Sequence, residues 1–141
     1  DKKVSGILME CSTSGDGIPH WIVIGVGINV VSHPDNTAYP ATSMRAEGCP
    51  DLTAVDMLEV YSRHFLLWFN RWQDDGFMPI RKTWLKRATR LGEAIQVKVG
   101  NEILKGTFSA LDENGALVLR QNGVDRRITT GDIFPVASNE G

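Results

Sequence analysis

The sequence is poor in cysteine and has no excess of charge of either sign. Cys11 and Cys49 lie far apart and lack a CxxC spacing, so they indicate neither a disulfide scaffold nor a cysteine-based metal motif. Fifteen basic side chains stand against seventeen acidic ones, which gives a formal charge of −2. Because a dedicated DNA or RNA binder usually carries a strong basic excess, we expect no nucleic-acid partner.

The sequence also lacks a long hydrophobic run and a secretory leader. Its longest apolar stretch, around residues 21–31, is too short and too glycine-rich to span a bilayer. The first three residues contain no apolar h-region. We therefore expect a cytoplasmic protein without a membrane partner. A strand-like run begins at Val4 with no initiator Met before it, so we also expect the C-terminal piece of a longer polypeptide.

The residues that are present suit a folded chain, since 42% of the 141 residues are hydrophobic and 23% are charged. Residues 3–11 and 21–28 form two continuous apolar runs, separated by a turn cluster at 12–17. The turn predicts an antiparallel hairpin, and the continuous runs predict strands that are buried on both faces or a strand that lies under helices. Residues 29–42 contain prolines and polar side chains, which predict irregular structure.

Two helices are predicted after this irregular segment. Residues 53–75 repeat apolar side chains at spacings of three and four, and Thr53 with Asp56 resembles a capping box that opens the helix. A second helix is predicted from Pro79, because proline suits a first helical turn. The apolar residues that share one face of this second helix are Ile80, Trp84, Ala88 and Leu91. Its basic residues are interpreted as a solvated cationic face.

From Gly92 the hydrophobic period changes to two, as Ile95, Val97 and Val99 alternate with polar residues. Tight turns, including Asn122-Gly123, then separate four or five short strands. This pattern predicts a small SH3-like β-barrel. The predicted fold class is therefore α+β, with residues 1–91 forming a part made of sheet and helices, and residues 92–141 forming the barrel domain.

Two features of the first part are candidates for chemistry. Gly25 and Gly27 leave one face of a strand without side chains, where either a ligand or a tightly packed helix fits. The segment is a poor dinucleotide site, because Val30 stands where the third glycine of that fingerprint belongs. Lys3, at the edge of the first strand, is either an ordinary surface charge or a catalytic ammonium. No metal site is predicted, because the three histidines are scattered along the chain.

Three motifs, in this order, resemble the biotin protein ligase family. Residues 3–8 (KVSGIL) resemble the K-x-x-G-I-L motif of that family, and residues 25–30 (GVGINV) resemble its G-x-G-I-N strand. Residues 40–44 (PATSM) are similar to its P-x-T-S-L stretch. The helices and the final barrel match the remaining order, so the resemblance covers essentially the whole chain.

The Gly/Arg-rich loop of that family, which closes over biotin and the adenylate, has no counterpart in this sequence. The chain therefore resembles the later half of the catalytic domain, which is class II synthetase-like in this family, followed by the C-terminal domain. We expect a missing upstream half, and we expect the 141 residues alone to be catalytically silent.

The resemblance implies an ATP-dependent ligase with two half-reactions. Biotin and ATP, with Mg²⁺ as activator, would give biotinyl-5′-AMP and pyrophosphate. The biotinyl group would then pass to a lysine of a biotin carboxyl carrier domain. An exposed strand edge in such a fold can also pair with a second copy, so a homodimer is a further expectation.

The resemblance also implies roles for individual residues. Lys3 would be catalytic, placed between the carboxylate of biotin and the α-phosphate of ATP. The expected biotin-binding residues are Lys3, Gly6, Gly25 and Gly27. The expected nucleotide-binding residues are Asn29, Ala41 and Thr42, with Asn29 directed at phosphate or at a water bound to Mg²⁺.

Two other functions stay open on the sequence. The chain could be a non-enzymatic SH3-like binding module, although this leaves the paired glycines without a purpose. It could also be a lipoate-type acyl-adenylate ligase, which shares the fold but is less well matched by the C-terminal barrel.

Overall fold

The structure is a computed structural model that describes residues 2–13, 18–37 and 39–135. Within these ranges the chain forms seven strands and two helices. Their order is β1 (Ser5–Thr13), β2 (Pro19–Ile28), α1 (Ala54–Asp75), α2 (Met78–Leu85), β3 (Ala94–Val99), β4 (Glu102–Leu111), β5 (Leu117–Gln121), β6 (Val124–Ile128) and β7 (Asp132–Pro135). This mixed architecture of two helices and two sheets confirms the predicted α+β class.

The chain divides into two compact units, Asp1–Phe65 and Leu66–Gly141. The first contains the two-stranded sheet, and the second contains α2 and a five-stranded sheet. Neither helix of the described ranges combines the length and the apolar character that a membrane crossing needs.

The first sheet is the predicted antiparallel hairpin of β1 and β2. Ser5 lies opposite Ile28 and Gly6 lies opposite Gly27, and the pairing continues to an irregularity next to Ser12. The turn between the strands was predicted at 12–17, and residues 14–17 of it lie outside the described residues. The hairpin itself is confirmed.

The prediction that both faces of this hairpin are buried is wrong for the described part of the chain. Ile7 and Leu8 are neighbours in β1 and therefore point to opposite faces, yet their exposed fractions are 71% and 68%. In β2, Ile22 and Val23 show the same behaviour. A ribbon of two strands cannot bury its own side chains, so the continuous apolar runs meet no second layer here.

Helix α1 begins at the predicted capping box. The Thr53 hydroxyl donates a hydrogen bond to Asp56 Oδ2 over 2.6 Å, and the Asp56 backbone N–H donates to Thr53 Oγ1 over 3.2 Å. The bond from the Thr53 hydroxyl lowers the pKa of Asp56, and the Thr53 backbone N–H, which donates to the same carboxylate oxygen over 3.0 Å, acts in the same direction. Gly76 ends the helix with a φ of 71°, a conformation that glycine adopts without strain.

Helix α2 is shorter than predicted, since it ends at Leu85 rather than continuing to Leu91. Its last turn tightens when the Arg87 N–H donates to the carbonyl of Trp84 over 2.9 Å. Arg90 then takes a positive φ of 63°, and the Gly92 N–H bonds to the Phe108 carbonyl in the sheet. The backbone thus leaves the helix after Leu85 and joins the sheet at Gly92.

The second sheet is antiparallel with the strand order β6-β5-β4-β3-β7. Its buried side chains form one cluster, as the alternating pattern predicts: Ile95, Val97, Leu104, Phe108, Leu117, Leu119 and Ile128. Helix α2 packs on this sheet, with Trp84 meeting Phe108 edge to face at 6.2 Å between ring centroids. Asn122 and Gly123 both have positive φ, which confirms the tight turn predicted there.

Candidate functional site

Lys3 lies just before β1, and its main chain is held from two sides. Its N–H donates to the carbonyl of Pro40 over 2.7 Å, and its carbonyl accepts from the Thr42 N–H over 3.0 Å. A parallel bridge therefore joins Lys3 to Ala41. Although Lys3 is exposed, its side chain is directed along the hairpin, because Cε and Nζ both lie 3.5 Å from the position a Cβ would take on Gly6.

The three glycines predicted to bind biotin lie on one face of the hairpin. Gly6 and Gly27 are directly opposite each other across the strands, and Gly25 is two residues along from Gly27. A Cβ built on Gly27 meets no atom within 4 Å, and one built on Gly25 meets only the Leu8 carbonyl at 3.6 Å. The surface at these glycines beside the Lys3 ammonium is therefore open, and the side chain of Leu8, which pairs with Gly25, borders it on the same face.

Asn29 follows β2 and is bonded to the segments that carry Lys3 and Thr42. Its side-chain amide donates to the Thr42 carbonyl over 2.9 Å and to the Lys3 carbonyl over 3.4 Å. Its backbone N–H donates to the Val4 carbonyl over 2.8 Å. The residues expected to bind nucleotide are thus brought next to Lys3 by hydrogen bonds.

Thr42 is buried, with an exposed fraction of 4%. Its hydroxyl donates to Glu47 Oε1 over 2.6 Å, and Glu47 also lies 4.0 Å from the Lys2 ammonium. Sequence reasoning missed Glu47, because a lone glutamate five residues beyond Thr42 carries no recognisable pattern. Since the Thr42 hydroxyl and N–H are both engaged, Ala41 and the backbone around it offer the more accessible contacts to a ligand.

The residues around Lys3 do not supply a metal-binding set. No group of three or more His, Cys, Asp or Glu side chains that could hold a metal ion occurs in the described ranges. Mg²⁺ usually keeps several waters and binds through one or two carboxylates together with the phosphates of a substrate. Glu47 is the carboxylate nearest in the bonded network, and it is already engaged.

The arrangement combines one cation with an open surface at three glycines and a segment of tightly held backbone. An ammonium is a compact point charge that can attract both a carboxylate and a phosphate. An open glycine face allows a flat or bulky ligand to lie against the backbone. The hairpin and its lysine therefore define a class of site that can hold a small anionic ligand.

Comparison with known proteins agrees with this class. The model of the biotin/lipoate A/B protein ligase family matches residues 4–86, and the model of the biotin protein ligase C terminal domain matches residues 91–134. The chain belongs to the biotin/lipoate A/B protein ligase family, and the resemblance seen in its motifs is confirmed.

Individual relatives point the same way. The biotin–[acetyl-CoA-carboxylase] ligase of Paracoccus denitrificans is 34% identical over 137 residues, which cover 94% of this chain and 57% of that protein. The bifunctional ligase/repressor BirA of Bacillus subtilis is 29% identical, over 94% of this chain and 42% of that protein. The chain thus spans about half the length of these relatives.

The fold is likewise similar to solved structures. A biotin protein ligase from Aquifex aeolicus in complex with biotin and ATP aligns with a TM-score of 0.76 and 22% identity, over 94% of this chain and 55% of that one. A biotin protein ligase-like protein of unknown function from Silicibacter aligns with a TM-score of 0.73 and 30% identity, over 89% of this chain and 54% of that one.

Proposed function

We propose that this chain is part of a biotin protein ligase that forms biotinyl-5′-AMP from biotin and ATP and passes the biotinyl group to a lysine of a carrier domain. The observation that supports the proposal most directly is the Lys3 ammonium beside the open face of Gly6, Gly25 and Gly27. The family match and the names of the relatives supply the identity of the ligand.

The first half-reaction brings two anions together, so it needs positive charge fixed in advance. The carboxylate oxygen of biotin attacks the α-phosphorus of ATP, the bond from that phosphorus to the bridging oxygen breaks, and pyrophosphate leaves. In the proposal the Lys3 ammonium lies between the carboxylate and the α-phosphate and reduces their repulsion. A mobile ammonium suits this role because the phosphoryl oxygens move during the reaction.

The remaining site residues have separate roles in the proposal. Gly6, Gly25 and Gly27 leave space for biotin against the hairpin. Ala41 and Thr42 contact the adenine-bearing part of ATP, mainly through the backbone of Ala41, because the N–H and the hydroxyl of Thr42 already donate hydrogen bonds. Asn29 contributes only Oδ1 to a ligand, since its N–H groups already bond to carbonyls. Such an oxygen accepts from a water of Mg–ATP and does not bind a phosphate oxygen.

The second half-reaction transfers the acyl group from the adenylate to the ε-amine of a lysine on a biotin carboxyl carrier domain, with AMP as the leaving group. We place this reaction in the cytoplasm.

We also propose the boundary between the catalytic part and the C-terminal domain at 91/92, which lies beside the gap between the two family matches. A homodimer formed through a strand edge of the hairpin belongs to the same proposal.

We further propose that catalysis requires a segment of the protein beyond these 141 residues. The hairpin leaves large apolar side chains exposed on both of its faces, and α1 has no buried residue in the described chain. The chain also covers only 57% of the Paracoccus denitrificans ligase. In the proposal the missing part covers the hairpin and completes the pocket, so the 141 residues alone do not form biotinyl-AMP.

The lysine is tested in the protein at its full encoded length. For Lys3→Ala we expect biotin-dependent release of pyrophosphate from ATP to fall by ~10³-fold or more, because the charge between two anions is lost. Lys2→Ala is the matched control, since it removes a neighbouring ammonium whose pairing with Glu47 is exposed and weak. A Lys3→Ala rate near that of the wild type would remove Lys3 from the mechanism.

The ligand is tested by competition. Biotin should raise the melting temperature of the full-length protein and compete with lipoate for the site, as the match to the biotin protein ligase C-terminal domain favours. A preference for lipoate would identify the lipoate-type enzyme. An absence of any response to biotin, lipoate and ATP would favour the non-enzymatic binding module.

A further inference from the structure

Asn29 uses both its backbone and its side chain to join separate segments. Its N–H donates to Val4 just before β1, and its carbonyl accepts from the Met44 N–H over 2.9 Å. Its side-chain amide donates to the carbonyls of Lys3 and Thr42. One residue at the end of β2 thus holds the start of β1 and the segment around Thr42 together.

The chemistry of the neighbouring atoms fixes the orientation of this amide. Both partners are carbonyl oxygens, which accept hydrogen bonds and cannot donate them, so the NH₂ group and not Oδ1 must face them. An asparagine amide has two N–H donors, and the two carbonyls use both. No N–H donor of the side chain is left for a phosphate oxygen.

We infer that Asn29 is a positioning residue, whose amide sets the location of the Lys3 ammonium by holding the carbonyls of Lys3 and Thr42 in one arrangement. The inference rests on the proposed role of Lys3. In this role Asn29 acts on the reaction through Lys3 and Thr42, in addition to any contact that its Oδ1 makes with a ligand.

The position of the Lys3 backbone matters because a lysine side chain is long and flexible. The Lys3 main chain is held by Pro40, by Thr42 and by Asn29, and its side chain then lies beside Gly6. If the amide is lost, the carbonyls of Lys3 and Thr42 lose a shared donor, and only the backbone bonds of Lys3 to Pro40 and Thr42 still hold the lysine in place. A displacement of about 1 Å in a reacting group can lower a rate by about 10²-fold.

Asn29→Asp tests the inference, because it keeps the shape and Oδ1 but places a carboxylate against two carbonyl oxygens. In the protein at its full encoded length, we expect the kcat of biotin-dependent pyrophosphate release to fall about 10-fold to 100-fold at pH 8, with the KM for ATP changed less than about threefold. Because a carboxyl beside carbonyl oxygens is favoured in its protonated form, the deficit relative to wild type should shrink as the pH is lowered to 6.

The charged residues on the joined segments are Lys2, Lys3, Arg45 and Glu47. They are unchanged in the variant, so the pH profile is compared as the ratio of variant to wild type. Asn101→Asp, the same change at an exposed turn of the second unit, is the matched control and should show no such pH dependence. A raised KM for ATP with an unchanged kcat would overturn the inference and make Asn29 a direct nucleotide ligand.

Amide hydrogen exchange provides a readout that does not depend on catalysis. In Asn29→Asp we expect the amides of Lys3 and Thr42 to exchange at least about tenfold faster than in the wild type, whereas those of β4 and β5 stay unchanged. Unchanged exchange at Lys3 and Thr42 would overturn the inference. If exchange increases but the wild-type protein releases no pyrophosphate with biotin, the positioning holds and the proposed ligase activity fails.

Discussion

At the scale of single residues, Gly106 and Gly27 show two different physical reasons for a glycine within a strand. A Cβ on Gly106 would lie 2.6 Å from the carbonyl oxygen of Arg120 and 2.9 Å from Leu119 Cγ, so this glycine is required by the close approach of β5. A Cβ on Gly27 would meet nothing within 4 Å. Packing explains the first glycine and does not explain the second, which is the expected difference between a structural glycine and one that leaves room for a ligand.

Gly27→Val uses this difference as a test of the biotin surface. We expect the melting temperature of the full-length protein to stay within a few degrees of wild type, because valine favours strands and finds open space. The dissociation constant for biotin, measured by calorimetry, should rise about tenfold or more. Gly106→Ala is the contrasting variant, which should lower stability by about 1–3 kcal/mol through overpacking while leaving the hairpin intact. Wild-type affinity in Gly27→Val would place biotin elsewhere.

The sequence could predict part of this site and not the rest. Alternating glycines put Gly25 and Gly27 on one face of a strand, and the antiparallel hairpin made Gly6 a neighbour. The contacts of Lys3 with Pro40 and Thr42 were not predictable, because they join residues almost forty positions apart through backbone atoms, which carry no side-chain signal. The hydrogen bonds that the Asn29 side-chain amide donates were not predictable either, because their acceptors are backbone carbonyls.

At the scale of elements, the loop between β4 and β5 depends on one carboxylate. Asp112 Oδ1 accepts from the N–H groups of Asn114 and Ala116, each over 2.9 Å, and Arg127 Nε lies 3.2 Å from Oδ2. The backbone bond from Ala116 is the main cause that lowers the pKa of Asp112, and the bond from Asn114 and the charge of Arg127 act in the same direction.

This shift has a defined consequence for stability against pH. Because the pKa of Asp112 is lowered by folding, its contribution is complete above the ordinary value of 3.8 and is lost as the pH falls below it. For Asp112→Asn we therefore expect a lower melting temperature at pH 7 and a smaller loss of stability between pH 5 and pH 2.5 than in the wild type. Glu113→Gln, at the adjacent exposed residue, serves as the control. Equal acid sensitivity of Asp112→Asn and wild type would contradict this role.

Elements with strong local signals were predicted well, and α2 shows where such signals fail. The capping box of Thr53 and Asp56 fixes the start of α1 within the sequence itself. The chain after α2 instead follows contacts made later in the chain, since the Gly92 N–H bonds to the Phe108 carbonyl of a following strand. Apolar periodicity continued to Leu91 and gave no sign of those contacts.

At the scale of the whole molecule, burial is distributed unequally between the two units. The cluster of buried hydrophobic side chains lies entirely within residues 95–128 of the second unit. In the described part of the first unit, only Thr42 and Ser43 are buried. Since burial of apolar surface is the main source of stability, the second unit has its own core and the hairpin of the first lacks one.

Hydrogen exchange on the 141-residue chain tests this unequal stability. We expect strong protection of the amides in β3, β4 and β5, and weak protection in β1 and β2, where two strands form the whole sheet. Addition of the part of the Paracoccus denitrificans ligase that this chain does not cover should increase protection in the hairpin selectively, because exposed side chains such as Ile7 and Leu8 would then be covered. Equal protection of the hairpin and the second sheet in the 141-residue chain would show that the hairpin needs no further layer, and the proposal of a required additional segment would then fail.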